Sequence, residues 1–352
     1  MKPQIKKEPN QAESFEFFTV ATSLLAHFPE RAQNIFKQRF GLAGDFSVKT
    51  LDKIGSDHQV TRERVRQIIT DYKKHIAKKC EESEFVEIEN KLIFTIEDNC
   101  GIIKEAHAVK HLNKKNSIKE ENALRFLVGH SKKVQVVFEK TILERSWVIS
   151  REILDQAKVV ITEALTILKK EKKTLTGEEI SKKLSVPFPN LSKKLILNFL
   201  ESSIQIRRNQ FGKWGLQAWP EITPRGSREK IYLILKEEGK PMHFTQITKL
   251  IDKYKLGEKK AHPQTIHNEL IKDDRFILIG RGIYALSEWG YYRGAIKDVL
   301  KNILEKNGKP MKQEEIVQEV LKSRKVKKAT IAINLNNAKL FDRKGEWYSL
   351  KK

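Results

Sequence analysis

The segment GKPMHFTQI at residues 239–247 returns as GKPMKQEEI at 308–316, and a looser cousin, KKTLTGEEI, stands at 172–180. A fourth and most diverged copy is CGIIKEAHAV at 100–109. Each copy follows an apolar helical run: KLIFTIED, VVITEALTILKK, KIYLILKEE and IKDVLKNILEK. A further helix comes next, and then an aromatic hairpin, read three times as FGKWGLQAW, GRGIYALSEW and KGEWYSL. Glycine at the hairpin tip supplies the positive φ that a short turn needs. Helix, tight turn, helix, helix and two-stranded ribbon is the winged-helix order. The repeat of about 70 residues, from Gly239 to Gly308 and from Trp214 to Tyr284, is a normal size for such a module. The copy at 85–150 ends TILERSWVI and lacks the glycine tip.

Upstream of the repeats lies a different pattern. Residues 1–13 are polar and expected to be disordered. FEFFTVATSLLAHF then gives a helical face through Phe15, Phe18, Leu24, Leu25 and Phe28. Pro29 opens a second helix, ERAQNIFKQRF, and Gly41 closes it. Lys49–Gly55, a turn, and Thr61–Tyr72 form a helix-turn-helix pair, with Thr61 as the N-cap of the second helix. In that helix, within VTRERVRQII (60–69), Val65, Ile68 and Ile69 face inward toward Leu51 and Ile54. Arg62, Glu63, Arg66 and Gln67 then project together, and Arg64 lies beside them. Arginine suits guanine O6 and N7, glutamate accepts from cytosine N4, and glutamine pairs with adenine. A purely structural face would hold i,i+4 charge pairs of opposite sign, whereas Arg62 and Arg66 repel.

The expected fold is therefore mainly α: an N-terminal helix-turn-helix domain (14–80), then four tandem winged-helix α+β domains at 85–150, 152–221, 225–290 and 291–352. Lys and Arg number 68 against 45 Asp and Glu, a net charge of +23. Such an excess gains free energy by displacing counterions from a polyanion, so double-stranded DNA is the expected partner. Two cysteines imply no disulfide framework, and the polar N-terminus lacks a signal-peptide core. A cytoplasmic, nucleoid-associated bacterial protein without a membrane contact, and a monomer, is expected.

The run FPERAQNIFKQRFGL, then TLDKIG, then VTRERVRQI resembles region 4 of bacterial primary sigma factors over about residues 20–78. The resemblance implies recognition of the −35 promoter hexamer and docking on the flap of the RNA polymerase β subunit. It assigns DNA contact to Thr61, Arg62, Glu63, Arg64, Arg66 and Gln67. Phe28, Ile35, Phe36 and Leu42 fall in the half linked to the fold and the flap. His58 and Gln59 depart from the family's turn, and a left-handed Gln59 is mildly strained. Nothing in the chain resembles sigma region 2, so it is not expected to initiate transcription alone. A second resemblance, over 227–290, is to the HARE-type winged helix, whose members bind DNA or protein.

Arg207, Arg208 and Lys213 in one wing and Arg281 in the next are candidate phosphate contacts. The tryptophans Trp214, Trp219, Trp289 and Trp347 recur at wing positions and are read as repeat-core packing. Glu178–Glu179 and Glu314–Glu315 fit helix first turns, where carboxylates favour the dipole, rather than a catalytic dyad. Cys100, His107 and His111 lack the CxxC or HExxH context of a zinc site. No phosphate-binding loop, nucleophile elbow or dinucleotide fingerprint occurs, so neither an enzyme nor a cofactor is expected. The competing reading is an RNA polymerase-associated scaffold of winged helices without base readout.

Overall fold

The computed structural model describes residues 16–81, 84–114 and 116–351. The expected disorder of 1–13, and Phe15, lie outside them. Among the described residues there are sixteen α-helices and four small three-stranded sheets, a mainly α architecture of winged-helix type. The chain divides into two compact units, Met1–Arg207 and Arg208–Lys352.

The first unit begins with α1 (Phe17–Leu25), α2 (Glu30–Phe40), α3 (Leu51–Asp57) and α4 (Arg62–Glu81). In α1 the buried residues are Phe17, Val20, Ala21, Leu24 and Leu25, so the inward stripe runs through Phe17 and leaves Phe18 half-buried. The spacing of three and four residues sets that stripe. Pro29 is the N-cap of α2, and Gly41 closes it in the left-handed conformation at φ 64°. A Cβ on Gly41 would lie 2.5 Å from Asn122 Nδ2 and 2.6 Å from the Phe46 carbonyl oxygen. That crowding has a purpose: Asn122 Nδ2 donates to the carbonyls of Gly41 (3.0 Å) and Phe46 (2.8 Å).

Asn122 belongs to the next module: α5 (Phe85–Asp98), β1 (Ile102–Lys104), α6 (Glu105–Leu112), α7 (Ile118–Val128), β2 (Gln135–Glu139) and β3 (Leu143–Val148). Its α7 is packed on α1, and one apolar core runs from Phe17 and Phe36 through Ile76 to Phe126 and Trp147. The stretches 14–80 and 85–150 thus share a single core. The Trp147 indole N–H, buried within it, donates to Glu105 (3.1 Å), whose carboxylate also receives Arg125 and Arg145.

The same order then repeats. It reads α8 (Arg151–Glu171), β4 (Leu175–Thr176), α9 (Gly177–Leu184), α10 (Lys193–Glu201), β5 (Ile206–Arg208) and β6 (Lys213–Leu216). In the second unit it reads α11 (Ser227–Glu238), β7 (Met242–His243), α12 (Phe244–Lys253), α13 (Pro263–Lys272), β8 (Phe276–Gly280) and β9 (Ile283–Leu286). It closes with α14 (Ile296–Asn307), β10 (Met311–Lys312), α15 (Gln313–Ser323), α16 (Lys328–Leu335), β11 (Phe341–Lys344) and β12 (Trp347–Leu350). In the sheets that lie within one unit the strand order is the same, with the third strand of the module between its first and second. The hairpin tips carry Gly212, Gly282 and Gly345 at positive φ.

The helix ends explain why two of the copies look diverged. Gly239 and Gly308 close α11 and α14 at φ 64° and 67°. At the matching place in the looser copy Lys172 takes φ 53°, and in the most diverged copy Cys100 takes φ 59°. The left-handed cap is kept although the glycine is not, at a steric cost to an L side chain of about 1–2 kcal/mol. Each following helix starts at the same N-cap, and Glu179 and Glu315 turn back to the backbone N–H groups of Thr176 (2.7 Å) and Lys312 (3.1 Å). Those carboxylates are helix caps.

In the second unit the outer face of β8–β9 is apolar and covered. Ile277, Ile279 and Ala285 are buried with Ile283, Trp289 and Tyr291. Arg324, at the end of α15, donates to the carbonyls of Leu278, Tyr292 and Gly294, and Lys325 N–H donates to Ile279 O at 2.9 Å. The buried guanidinium thus clasps the preceding module by its backbone.

Candidate nucleic-acid interface

The helix-turn-helix is built from two capped helices around a small core. Thr50 caps α3 by accepting from Lys53 N–H at 3.3 Å, and Thr61 caps α4 by accepting from Arg64 N–H at 3.2 Å. Ile35, Ile54 and Val65 are fully buried, with Leu51, Val60, Ile68 and Ile69 packed around them. Between the helices the chain reverses tightly, and Val60 N–H donates to Gly55 O at 2.9 Å. A Cβ at Gly55 would sit 2.6 Å from the Val60 carbonyl oxygen, so only glycine permits this closure. Gln59 takes φ 55°, the left-handed position expected to be strained. Arg31 on α2 donates to His58 O at 2.8 Å and ties the turn to the scaffold.

Thr61, Arg62, Glu63, Arg64, Arg66 and Gln67 are all exposed, while Val65 between them is buried. The polar face is not bare. Arg66 makes a two-pronged contact with Glu63, Nη2 to Oε1 at 2.7 Å and Nε to Oε2 at 2.8 Å. Arg64 Nη1 donates to Gln67 Oε1 at 3.3 Å, and Arg62 Nη1 lies 3.6 Å from Asp52 of α3. The hydrogen bond from Arg66 holds the Glu63 carboxyl below its ordinary range, and Glu63 raises the Arg66 guanidinium in turn. Charge pairing therefore exists on this face at i,i+3, where the i,i+4 pattern of the sequence shows only repulsion. Pairs this exposed are screened by water and contribute little to folding, so exchanging them for base or phosphate contacts costs little.

Other expected contacts fall elsewhere. Ile35, Phe36 and Leu42 are buried in the core, which corrects their reading as flap contacts: a side chain packed on all sides has no surface to offer. Phe28 is half-buried, its ring 4.8 Å from that of Tyr72. The open surface of this region is a groove of about 480 Å³ lined by Arg31, Val60, Arg64, Ile68, Tyr72 and His75 among others. It forms where α2 meets α4, and of its lining only His75 lies on the part of α4 that runs beyond the helix expected to end at Tyr72.

Among the wing residues, Arg207 is not a free cation: it pairs with Glu144 and donates to Ser203 O at 2.7 Å. Lys213 pairs with Glu237 at 2.8 Å. Arg208 is exposed, its guanidinium 5.7 Å from the Trp214 ring centre, and Arg281 is exposed at the hairpin tip. Trp214 is buried as expected and Trp219 and Trp289 are half-buried, but Trp347 is 45% exposed, with Tyr348 taking the core position beside it. Among the described residues no group of three His, Cys, Asp or Glu is placed to hold a metal ion, and no helix is long and apolar enough to cross a membrane.

Residues 24–71 match the family model of sigma-70 region 4. The match to region 4 covers α2, α3 and the first half of α4, the part that carries the exposed polar face. Residues 228–289 match a second family model, HARE-HTH, whose description names ASXL and a restriction endonuclease helix-turn-helix domain. The chain is also 50% identical over 46 residues to RNA polymerase sigma factor RpoD of Helicobacter pylori, in strains 26695 and J99 alike. That stretch is 13% of this chain and 7% of each relative's length. Both matched models are helix-turn-helix modules, and the chain carries DNA-binding domains of a transcription-related kind.

Proposed function

We propose that the protein is a sequence-specific DNA-binding transcription factor that acts at promoters together with RNA polymerase. The observation carrying this reading is the exposed Arg62–Glu63–Arg66–Gln67 face on a helix whose other side is locked by Val65 into the Ile35–Ile54 core. Such a face enters a major groove with donors and acceptors already outward. The likeness to region 4 and to the matched stretch of the sigma factors supports both the promoter and the polymerase. With Ile35, Phe36 and Leu42 buried, polymerase contact falls to the groove beside Tyr72. The basic array downstream adds sequence-independent grip.

The test is selection of bound duplexes from a random pool, with and without RNA polymerase, followed by footprinting with the Arg62→Ala variant. An enriched motif whose protection weakens in the variant is expected. Unchanged affinity and preference in Arg62→Ala would refute the recognition assignment. Co-purification with polymerase that survives high salt, without any enriched sequence, would instead establish the scaffold reading.

A further inference from the structure

The outer face of the terminal sheet differs from its counterpart one repeat earlier. Tyr348 points into the core, opposite Met311 and Arg343, so Trp347 beside it points the other way. Register places Lys312 of β10 and Lys344 of β11 directly across from Trp347 on its two sides. Side chains so paired share one face with Cβ atoms about 5 Å apart. The result is a lysine–tryptophan–lysine row across the three strands. The Lys312 ammonium lies 5.5 Å from the Trp347 ring centre, within cation–π reach.

In the preceding repeat the corresponding row is His243, Ile283 and Gly280, and the neighbouring pair is Ile277 with Ala285. Over β8–β9 that face is apolar, with Ile277 and Ala285 buried and Ile283 half-buried. Here the neighbouring pair is Asp342 with Ser349, and the face is polar, carrying two lysines against one aspartate. An apolar covering like the one over β8–β9 would strand those charges out of water. An exposed indole flanked by cations fits a partner with a flat π surface and flanking negative charge.

We propose that Trp347, with Lys312 and Lys344, forms a stacking site for an unpaired nucleobase of single-stranded nucleic acid. The base lies on the open side of the indole ring and the lysines meet the phosphates on either side of it. Within a duplex the base faces are already stacked on their neighbours, so this site selects single strands. The site is independent of the recognition helix and does not rest on the promoter reading.

Fluorescence anisotropy of the full-length protein tests it, with a labelled oligothymidine of about 12 nucleotides against a labelled duplex of the same length, at raised salt. Trp347→Ala is expected to weaken the single strand about 5- to 140-fold, the worth of one base–aromatic stack, and the duplex less than about twofold. Trp347→Phe should keep most of the affinity, and Arg62→Ala should leave the single-strand affinity in place. Because Trp347 is exposed, Trp347→Ala should melt at the parental temperature. No loss in Trp347→Ala, an equal loss on the duplex, an equal loss in Trp347→Phe, or a lowered melting temperature that accounts for the loss would each overturn the proposal.

Discussion

Replacing Arg66 with alanine separates the structural from the functional role of the helix face. The Arg66–Glu63 pair is two-pronged but more than half exposed on both sides, at 60% and 57%. An exposed i,i+3 pair is screened by solvent and contributes little to folding, so Arg66→Ala should barely move the unfolding midpoint. A guanidinium gripping guanine O6 and N7 contributes about 1–3 kcal/mol of discrimination. Affinity for the selected duplex should therefore fall about 5- to 140-fold, and that for a scrambled duplex much less. Glu63→Gln frees Arg66 from its partner and makes the protein one charge more positive. It should tighten scrambled DNA and relax preference at the position where Glu63 accepts from cytosine. Binding isotherms for both duplexes at two salt concentrations measure all three effects. If Arg66→Ala weakens both duplexes equally and lowers the salt slope by about 1, Arg66 touches phosphate and the base-reading argument fails. If it instead lowers the midpoint by several degrees, the pair is part of the scaffold and the face was misread.

Gln59→Gly should stabilise the helix-turn-helix by about 0.5–1 kcal/mol, since it relieves a left-handed side chain while adding unfolded-state entropy; chemical denaturation reads the difference. Gly55→Ala drives a methyl into the Val60 carbonyl, 2.6 Å away, and should destabilise the same motif and DNA binding together, by denaturation and anisotropy. Ile54→Ala empties the middle of the Ile35–Val65 core and should lower stability by about 2–5 kcal/mol. His130 is buried beside Phe126, with Nδ1 2.7 Å from the Phe126 carbonyl oxygen. Burial pushes its pKa below the ordinary 6.5, the carbonyl opposing and Lys73 adding to the shift. The unfolded chain therefore takes up a proton before the folded one does, and stability is lost as pH falls through about 6.5. The slope is at most about 1.4 kcal/mol per pH unit, and thermal melts from about pH 7.5 to about 5.5 should lose it in His130→Gln.

What was legible in the sequence was what periodicity and caps encode locally. Gly239 and Gly308 mark helix ends that the backbone realises as left-handed caps, and Thr61 caps α4 as its position implies. The polar face of VTRERVRQII is open because Val65, Ile68 and Ile69 carry the inward side at helical spacing. Long-range choices were not legible. Nothing in RFGL announces that the Gly41 carbonyl accepts from Asn122, 81 residues on, and so nothing announces one core across α1, α2 and α7. Likewise Arg207 reads as a free wing cation until Glu144, far away in sequence, turns out to hold it.

These tertiary contacts share a direction, and it bears on where the positive charge is put to use. In the first unit the N-terminal end of β3, beyond its pairing with β1, pairs with the segment after α10, through Glu144 N–H to Ser202 O at 2.9 Å and Ile204 N–H to Ile142 O at 3.0 Å. In the second unit the outer face of β8–β9 is closed by Trp289, Tyr291 and the Arg324–Lys325 segment. A ribbon that serves as a joint has spent backbone hydrogen bonds on the neighbouring module, which leaves the tip as its free part. Arg281 is exposed at such a tip, whereas Lys104 and Arg207 are drawn together on Glu144 near the joint. Arg281→Ala should accordingly weaken all duplexes alike and lower the salt slope by somewhat under about 1, while Arg207→Ala should lower the melting temperature with little change in that slope. Equal salt slopes for the two variants, measured on one scrambled duplex, would show that the distinction between tip and joint has no consequence for binding.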